Sequence, residues 1–167
     1  MKNYIRQVSE VKGKATAFTE IIIHAPTEVV REKFLNFTKW GEWNTVFTKI
    51  EVKKGDIDKL ETQPTLNLEI DFGRKNDPST SPISPRVYEN SPEIFHWGFN
   101  YRILKAEHIF IFESIENNNS TRFINYETAR GLLKGLVMTQ TFREKYDNEL
   151  QHNECSFQKI CEAQQSN

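Results

Sequence analysis

His108 and Glu127 are the two side chains best suited to moving a proton. Residues 107–115, Glu-His-Ile-Phe-Ile-Phe-Glu-Ser-Ile, alternate as a strand does, so His108, Phe110, Phe112 and Ser114 share a face. In residues 121–130 the same rule groups Thr121, Phe123, Asn125 and Glu127. If both faces look the same way, Glu127 can orient His108, and His108 can act as acid or base on an enolisable substrate. A second arrangement uses the same residues structurally: His108 bonds a neighbouring strand, and Glu127 meets Arg102, Arg122 or Arg130. A third face carries Phe95, Trp97, Phe99 and Tyr101, and a fourth Thr19, Ile21 and Ile23. The ten positions Phe95, Trp97, Phe99, Tyr101, His108, Phe110, Phe112, Phe123, Asn125 and Glu127 are the candidate ligand-binding set. Aromatic walls with a few orienting polar groups suit a small-molecule pocket. An ordinary aromatic core has the same composition, so both readings stand.

Other chemistries find less support. Cys155 and Cys161 lie six residues apart, about 9 Å along a helix axis, too far for a disulfide and not a metal motif. Reduced, buried or half-buried thiols are expected. No two histidines have metal-ligand spacing, so no metal is expected; His24 sits at a strand end and His152 on a polar helix side. Gly131-x-x-x-Gly135 lacks the Lys-Ser or Lys-Thr of a phosphate loop, and no Ser or Cys sits in a nucleophile elbow. No cofactor is expected. Trp40 and Trp43 form either a lid at a pocket mouth or a plug at the end of the sheet; Asn44 caps or turns the chain beside them.

These faces need a scaffold. Residues 18–24 are β-branched and apolar, a strand that Pro26 ends. Val29, Val30, Phe34 and Leu35 recur at helical spacing over 27–36, and 37–44 form a second short helix or turn. Strands are predicted at 47–53, 65–72, 86–89, 94–103, 107–115 and 121–130, with turns at 54–56, 90–92 and 117–119. Residues 73–85, rich in proline and serine, read as a long exposed loop, and 1–14 as a loose extension. After Gly131 the period changes. Leu136, Val137, Phe142, Tyr146, Leu150, Phe157 and Ile160 predict one long helix over 136–163. A long amphipathic helix needs an apolar partner, and the concave face of a twisted sheet provides one. With no βαβ alternation, the class is α+β: a curved antiparallel sheet wrapped around a C-terminal helix, one domain over 1–167.

Composition bounds the partners. Twenty-two basic and 23 acidic residues give a net charge of -1, without the basic face that nucleic acid needs or a polybasic stretch for an anionic membrane. The longest apolar run is Ile21–Ile23, far short of a membrane span, and the N-terminus lacks a signal-peptide run. A soluble, cytoplasmic protein is expected, without stable membrane insertion, as a monomer or weak homodimer.

Ile21-x-Ile23-His24-Ala25-Pro26-x-x-Val29-Val30 resembles the opening of the START-like (SRPBCC) superfamily, which includes birch-pollen allergens, lipid-transfer domains and polyketide cyclase/dehydratase-like proteins. Trp40-x-x-Trp43-Asn44, Phe95-x-Trp97-x-Phe99, Glu107-His108-x-Phe110 and Thr121-Arg122-Phe123-x-x-x-Glu127-x-x-x-Gly131-Leu132-Leu133 resemble later landmarks of its bacterial polyketide-cyclase-like branch. The likeness spans about residues 18–160. It implies the helix-grip fold and a cavity between sheet and helix. Three functions follow as expectations: binding of a small hydrophobic or aromatic ligand, lipid or polyketide-like; a cyclase or dehydratase using His108 and Glu127; or a co-chaperone-like interaction module.

Overall fold

Strand β1, Ala17–Ile23, stops where Pro26 fixes an extended φ of -56° and opens helix α1, Thr27–Leu35. The computed structural model describes residues 15–71, 79–80, 84–132 and 140–163, without side chains at 79–80 and 140–147. A 3-10 turn, Phe37–Glu42, leads into β2 (Phe47–Lys54); a shorter one, Leu60–Thr62, precedes β3 (Thr65–Ile70). Then come β4 (Ser79–Thr80), β5 (Arg86–Asn90), β6 (Ile94–Tyr101), β7 (Leu104–Ile115) and β8 (Ser120–Arg130). Helix α2, Gln140–Glu162, closes the order; its 23 residues span about 35 Å.

The sheet order is β1-β8-β7-β6-β5-β3-β2, antiparallel throughout, with β4 added to β3. The order brings the first strand beside the last long one and makes the curled sheet a cradle. Helix α2 lies along β1 and its buried Leu150, Phe157 and Cys161 join the core of the concave face. This is the expected α+β helix-grip architecture.

Two expectations are corrected. The 73–85 segment is not all loop: Ser79 and Thr80 pair with Ile70 and Glu69, because β3 would otherwise leave its edge groups unpaired. Its residues 73–78 and 81–83 lie outside the described residues, as do 1–14 and the expected helix start at 136–139. The β6–β7 boundary also moves. Arg102 and Ile103 form a two-residue turn that lets Tyr101 pair with Leu104, so β7 begins at Leu104 rather than Glu107.

The sheet is apolar on both faces. Ile94, Ile109, Ile111 and Ile124, with Phe18 and Tyr126, form a second cluster on the convex side. That explains the unbroken apolar run Ile109–Phe112, all four residues buried, where a half-solvated strand would alternate. Two polar stitches lock the ends. Asn44 Oδ1 accepts the backbone N–H groups of Val46 and Phe47, while Asn153 of α2 receives the N–H and hydroxyl of Thr45. At the opposite rim, Asn118 accepts Thr27 N–H and donates to Glu28, tying the β7–β8 turn to the start of α1.

Candidate functional site

The concave face divides into a filled half and a polar half. Phe34 projects from α1 and is fully buried. Its ring centroid lies 5.0 Å from Trp40, 5.5 Å from Phe95, 4.7 Å from Phe110, 5.1 Å from Phe112, 6.0 Å from Phe123 and 6.2 Å from Phe157. These are contact distances for aromatic pairs. Four of the expected lining residues, Phe95, Phe110, Phe112 and Phe123, therefore pack around Phe34. Trp40 is fully buried and donates Nε1–H to the carbonyl of Phe34 at 2.6 Å; Trp43 lies against Phe157 at 4.6 Å. The tryptophans plug this end of the sheet and do not form a lid.

One row further along the strands the chemistry changes. Trp97, His108, Glu127 and Ala17 stand opposite one another across β6, β7, β8 and β1. His108 Nε2 and Glu127 Oε2 are 3.7 Å apart, an ion-pair distance slightly too long for a hydrogen bond. The structure thus brings together the two residues singled out for proton transfer. The arginine alternative does not apply at Arg122, which binds Glu20 and Glu113 instead. Trp97 and Phe47 pack edge-on to the His108 ring at 5.5 and 5.3 Å.

The adjoining row pairs Asn125 with Thr19, and here α2 supplies a residue that sequence reasoning missed. Glu154 is 2% exposed. Its Oε1 accepts a hydrogen bond from Thr19 Oγ1, and Asn125 also hydrogen-bonds the carboxylate. Burial pushes its pKa up to about 7, against the opposing pull of those two hydrogen bonds. A signal was present: position 154 lies four after Leu150 and three before Phe157, inside the apolar stripe of the helix.

Several buried polar atoms here have no hydrogen-bond partner among the described residues: Trp97 Nε1, Glu127 Oε2 and Glu154 Oε2, with Trp43 Nε1 nearer the plug. Each such atom carries a desolvation cost of about 1–3 kcal/mol that a hydrogen-bonding partner would relieve. No lysine or arginine is among the buried described residues. The polar half of the interior thus holds two unpaired carboxylate oxygens and the unpaired indole N–H of Trp97 among aromatic rings, with no buried lysine or arginine among the described residues.

The remaining positions fall elsewhere. Phe99 is half-buried, and Tyr101 is 52% exposed at the hairpin tip, because β6 runs past the rim before it turns. Its inward assignment is corrected accordingly. Ser114 is also exposed. His24 is exposed and its Nδ1 lies 3.3 Å from Ser120 Oγ; His152 is exposed. His96, which the sequence reading passed over, faces Glu107 at 3.6 Å on the convex side, so it cannot join the concave site. Cys155 is exposed, contrary to expectation, and Cys161 is buried; both are free thiols. A surface depression of about 420 Å³ beside α1 is lined by Thr27, Glu28, Arg31, Glu32 and Pro92. Its Arg31 and Glu28 are already bound to Ser91 and Asn118. No group of three His, Cys, Asp or Glu side chains among the described residues is placed to hold a metal ion. No described helix is long and apolar enough to cross a membrane.

Solved structures share this arrangement. A START superfamily protein from Mycobacterium smegmatis superposes with a TM-score of 0.65 at 13% identity, over 87% of this chain and 96% of that one. The chain has the START-like (SRPBCC) helix-grip fold. The same START-like fold appears in the Zhui aromatase/cyclase from Streptomyces sp. R1128, with a TM-score of 0.57 at 12% identity over 88% of this chain and 90% of that one. It also matches the di-domain aromatase/cyclase BexL of the BE-7585A biosynthetic pathway, with a TM-score of 0.55 at 12% identity over 87% of this chain and 48% of that one. No family model and no curated protein matches the sequence. Identities this low carry the START-like fold and leave function to the site.

Proposed function

We propose that this protein binds a small hydrophobic or aromatic molecule between the concave face of the sheet and α2. The observation that carries this reading is the set of buried, unpartnered polar atoms, Trp97 Nε1, Glu127 Oε2 and Glu154 Oε2, beside aromatic rings. A bound molecule with matching polar groups offsets their desolvation cost while its apolar body contacts the rings. The START-like fold shared with aromatase/cyclase structures is consistent with it. The filled half around Phe34 restricts the binding region to Trp97, His108, Asn125, Glu127 and their neighbours on β1 and α2. Native mass spectrometry of the purified protein and titration with the neutral dye N-phenyl-1-naphthylamine test the proposal. Dye fluorescence enhancement or a co-purifying mass is expected; the absence of both counts against it.

A second reading has its own support: His108 and Glu127 face each other at 3.7 Å. In that reading the chain is a cyclase- or dehydratase-like enzyme, with Glu127 orienting His108 as acid or base on an enolisable ketone. The assay is exchange of ketone α-protons for deuterium, followed by NMR. Exchange that is lost in both His108→Gln and Glu127→Gln supports it. Unchanged exchange in either variant removes its basis.

A further inference from the structure

Two carboxylates meet the same interior from different elements. Glu154 enters from α2 and is held by Thr19 and Asn125; Glu127 lies two residues beyond Asn125 on the same face of β8, about 7 Å along the strand. Each has one buried oxygen, Oε2, without a hydrogen-bond partner among the described residues. Glu154 is 2% and Glu127 9% exposed. Trp97, 1% exposed, stands across β7 from Glu127 with His108 between them, and its unpartnered Nε1–H is a donor, so the space holds two unpaired acceptors against one unpaired donor. Two unsatisfied acceptor oxygens in a low-dielectric space repel a third carboxylate and favour a donor.

From this we infer that the molecule bound here presents a hydrogen-bond-donating head group, a protonated amine in preference to a hydroxyl, and not a carboxylate. The inference rests on the ligand-binding reading above and narrows its substrate class. An ammonium group supplies donors to both carboxylates and the balancing charge, and the rings of Trp97 and Phe47 supply π-faces for it. A hydroxyl supplies one donor, and an acceptor for the Trp97 N–H, but no balancing charge. A carboxylate can pair only with the Trp97 N–H and adds a like charge beside Glu127 and Glu154, so ordinary fatty acids are poor ligands.

A matched series tests the inference with one ring system: 9-anthracenemethylamine, 9-anthracenemethanol and 9-anthracenecarboxylate, titrated by fluorescence against the full chain at pH 8. The expected order is amine, then alcohol, then carboxylate, with amine and carboxylate separated by roughly tenfold or more. In a Glu127→Gln, Glu154→Gln double variant the gap narrows to within about threefold, because the amide neutralises each site without changing its size. Each single variant, checked for folding by circular dichroism, narrows it part-way. Equal binding of all three, or tighter binding of the carboxylate, overturns the inference and leaves ligand binding standing. Failure of all three to bind, together with no uptake of the neutral dye, overturns the ligand-binding reading itself.

Discussion

Thr19 Oγ1 on β1 donates a hydrogen bond to Glu154 Oε1 on α2, across 135 residues of chain. The same hydroxyl lies 3.4 Å from the backbone oxygen of Asn125. One proton cannot serve both acceptors. With Glu154 ionised, Thr19 donates to the carboxylate; with Glu154 protonated, the carboxyl can donate to Thr19, which then turns to Asn125. The contact has a partner arrangement for each protonation state.

The first consequence is a pH-dependent stability. Glu154 titrates near 4.5 when unfolded and about 7 when folded. A raised pKa means the native state holds the proton more tightly, so this contribution is fully present below about pH 4.5 and is lost as pH rises through 7. The loss amounts to about 3 kcal/mol. Urea unfolding of the wild type at pH 5 and pH 8 reads most of it. Glu154→Gln flattens the difference, and a variant as pH-sensitive as the wild type over this window contradicts the assignment.

Replacing Thr19 by Val removes the donor and keeps the shape. At pH 8, where the carboxylate is charged, the cost is about 1–3 kcal/mol. At pH 5 it is smaller, because the hydrogen bond then lost joins two neutral groups and no buried charge is left unpaired. The ratio of the two losses, from denaturant midpoints, separates a hydrogen-bond effect from a packing effect.

Phe34 holds six aromatic rings together at centroid distances of 4.7 to 6.2 Å. Phe34→Ala costs about 3–5 kcal/mol through lost burial and the cavity left behind. Differential scanning calorimetry checks the size. A loss below about 1 kcal/mol would mean that the plug is not packed as described.

The cysteines differ in environment. Cys155 is exposed, whereas burial pushes the Cys161 thiol up to about 12. Reaction with Ellman's reagent at pH 8 modifies one thiol per chain rapidly, and the second only on unfolding in denaturant. Mass spectrometry of the digested product places the fast label on Cys155.

Much of this organisation was legible in the residue order. Alternation set which side chains share a face, and turn residues set where strands stop, because both are local properties of the backbone. Period put His108 with Phe110 and Phe112, and Glu127 with Phe123 and Asn125; only the pairing of β7 with β8 sets the two side by side. The convex cluster was harder to read. Ile109 and Ile111 break the alternation, but only the folded sheet shows that this outer face is buried too.

Tertiary packing decided the rest. Phe34 reads as one apolar position of a short helix, yet the docking of α1 makes it the centre of the aromatic set and turns four expected lining residues into core. Glu154 reads as one more charge on a mostly polar helix; only the approach of α2 to β1 buries it against Thr19 and Asn125. The physical reason is the same for both. Periodicity specifies direction relative to an element's own axis, while burial, pKa and pairing depend on what another element brings to that face.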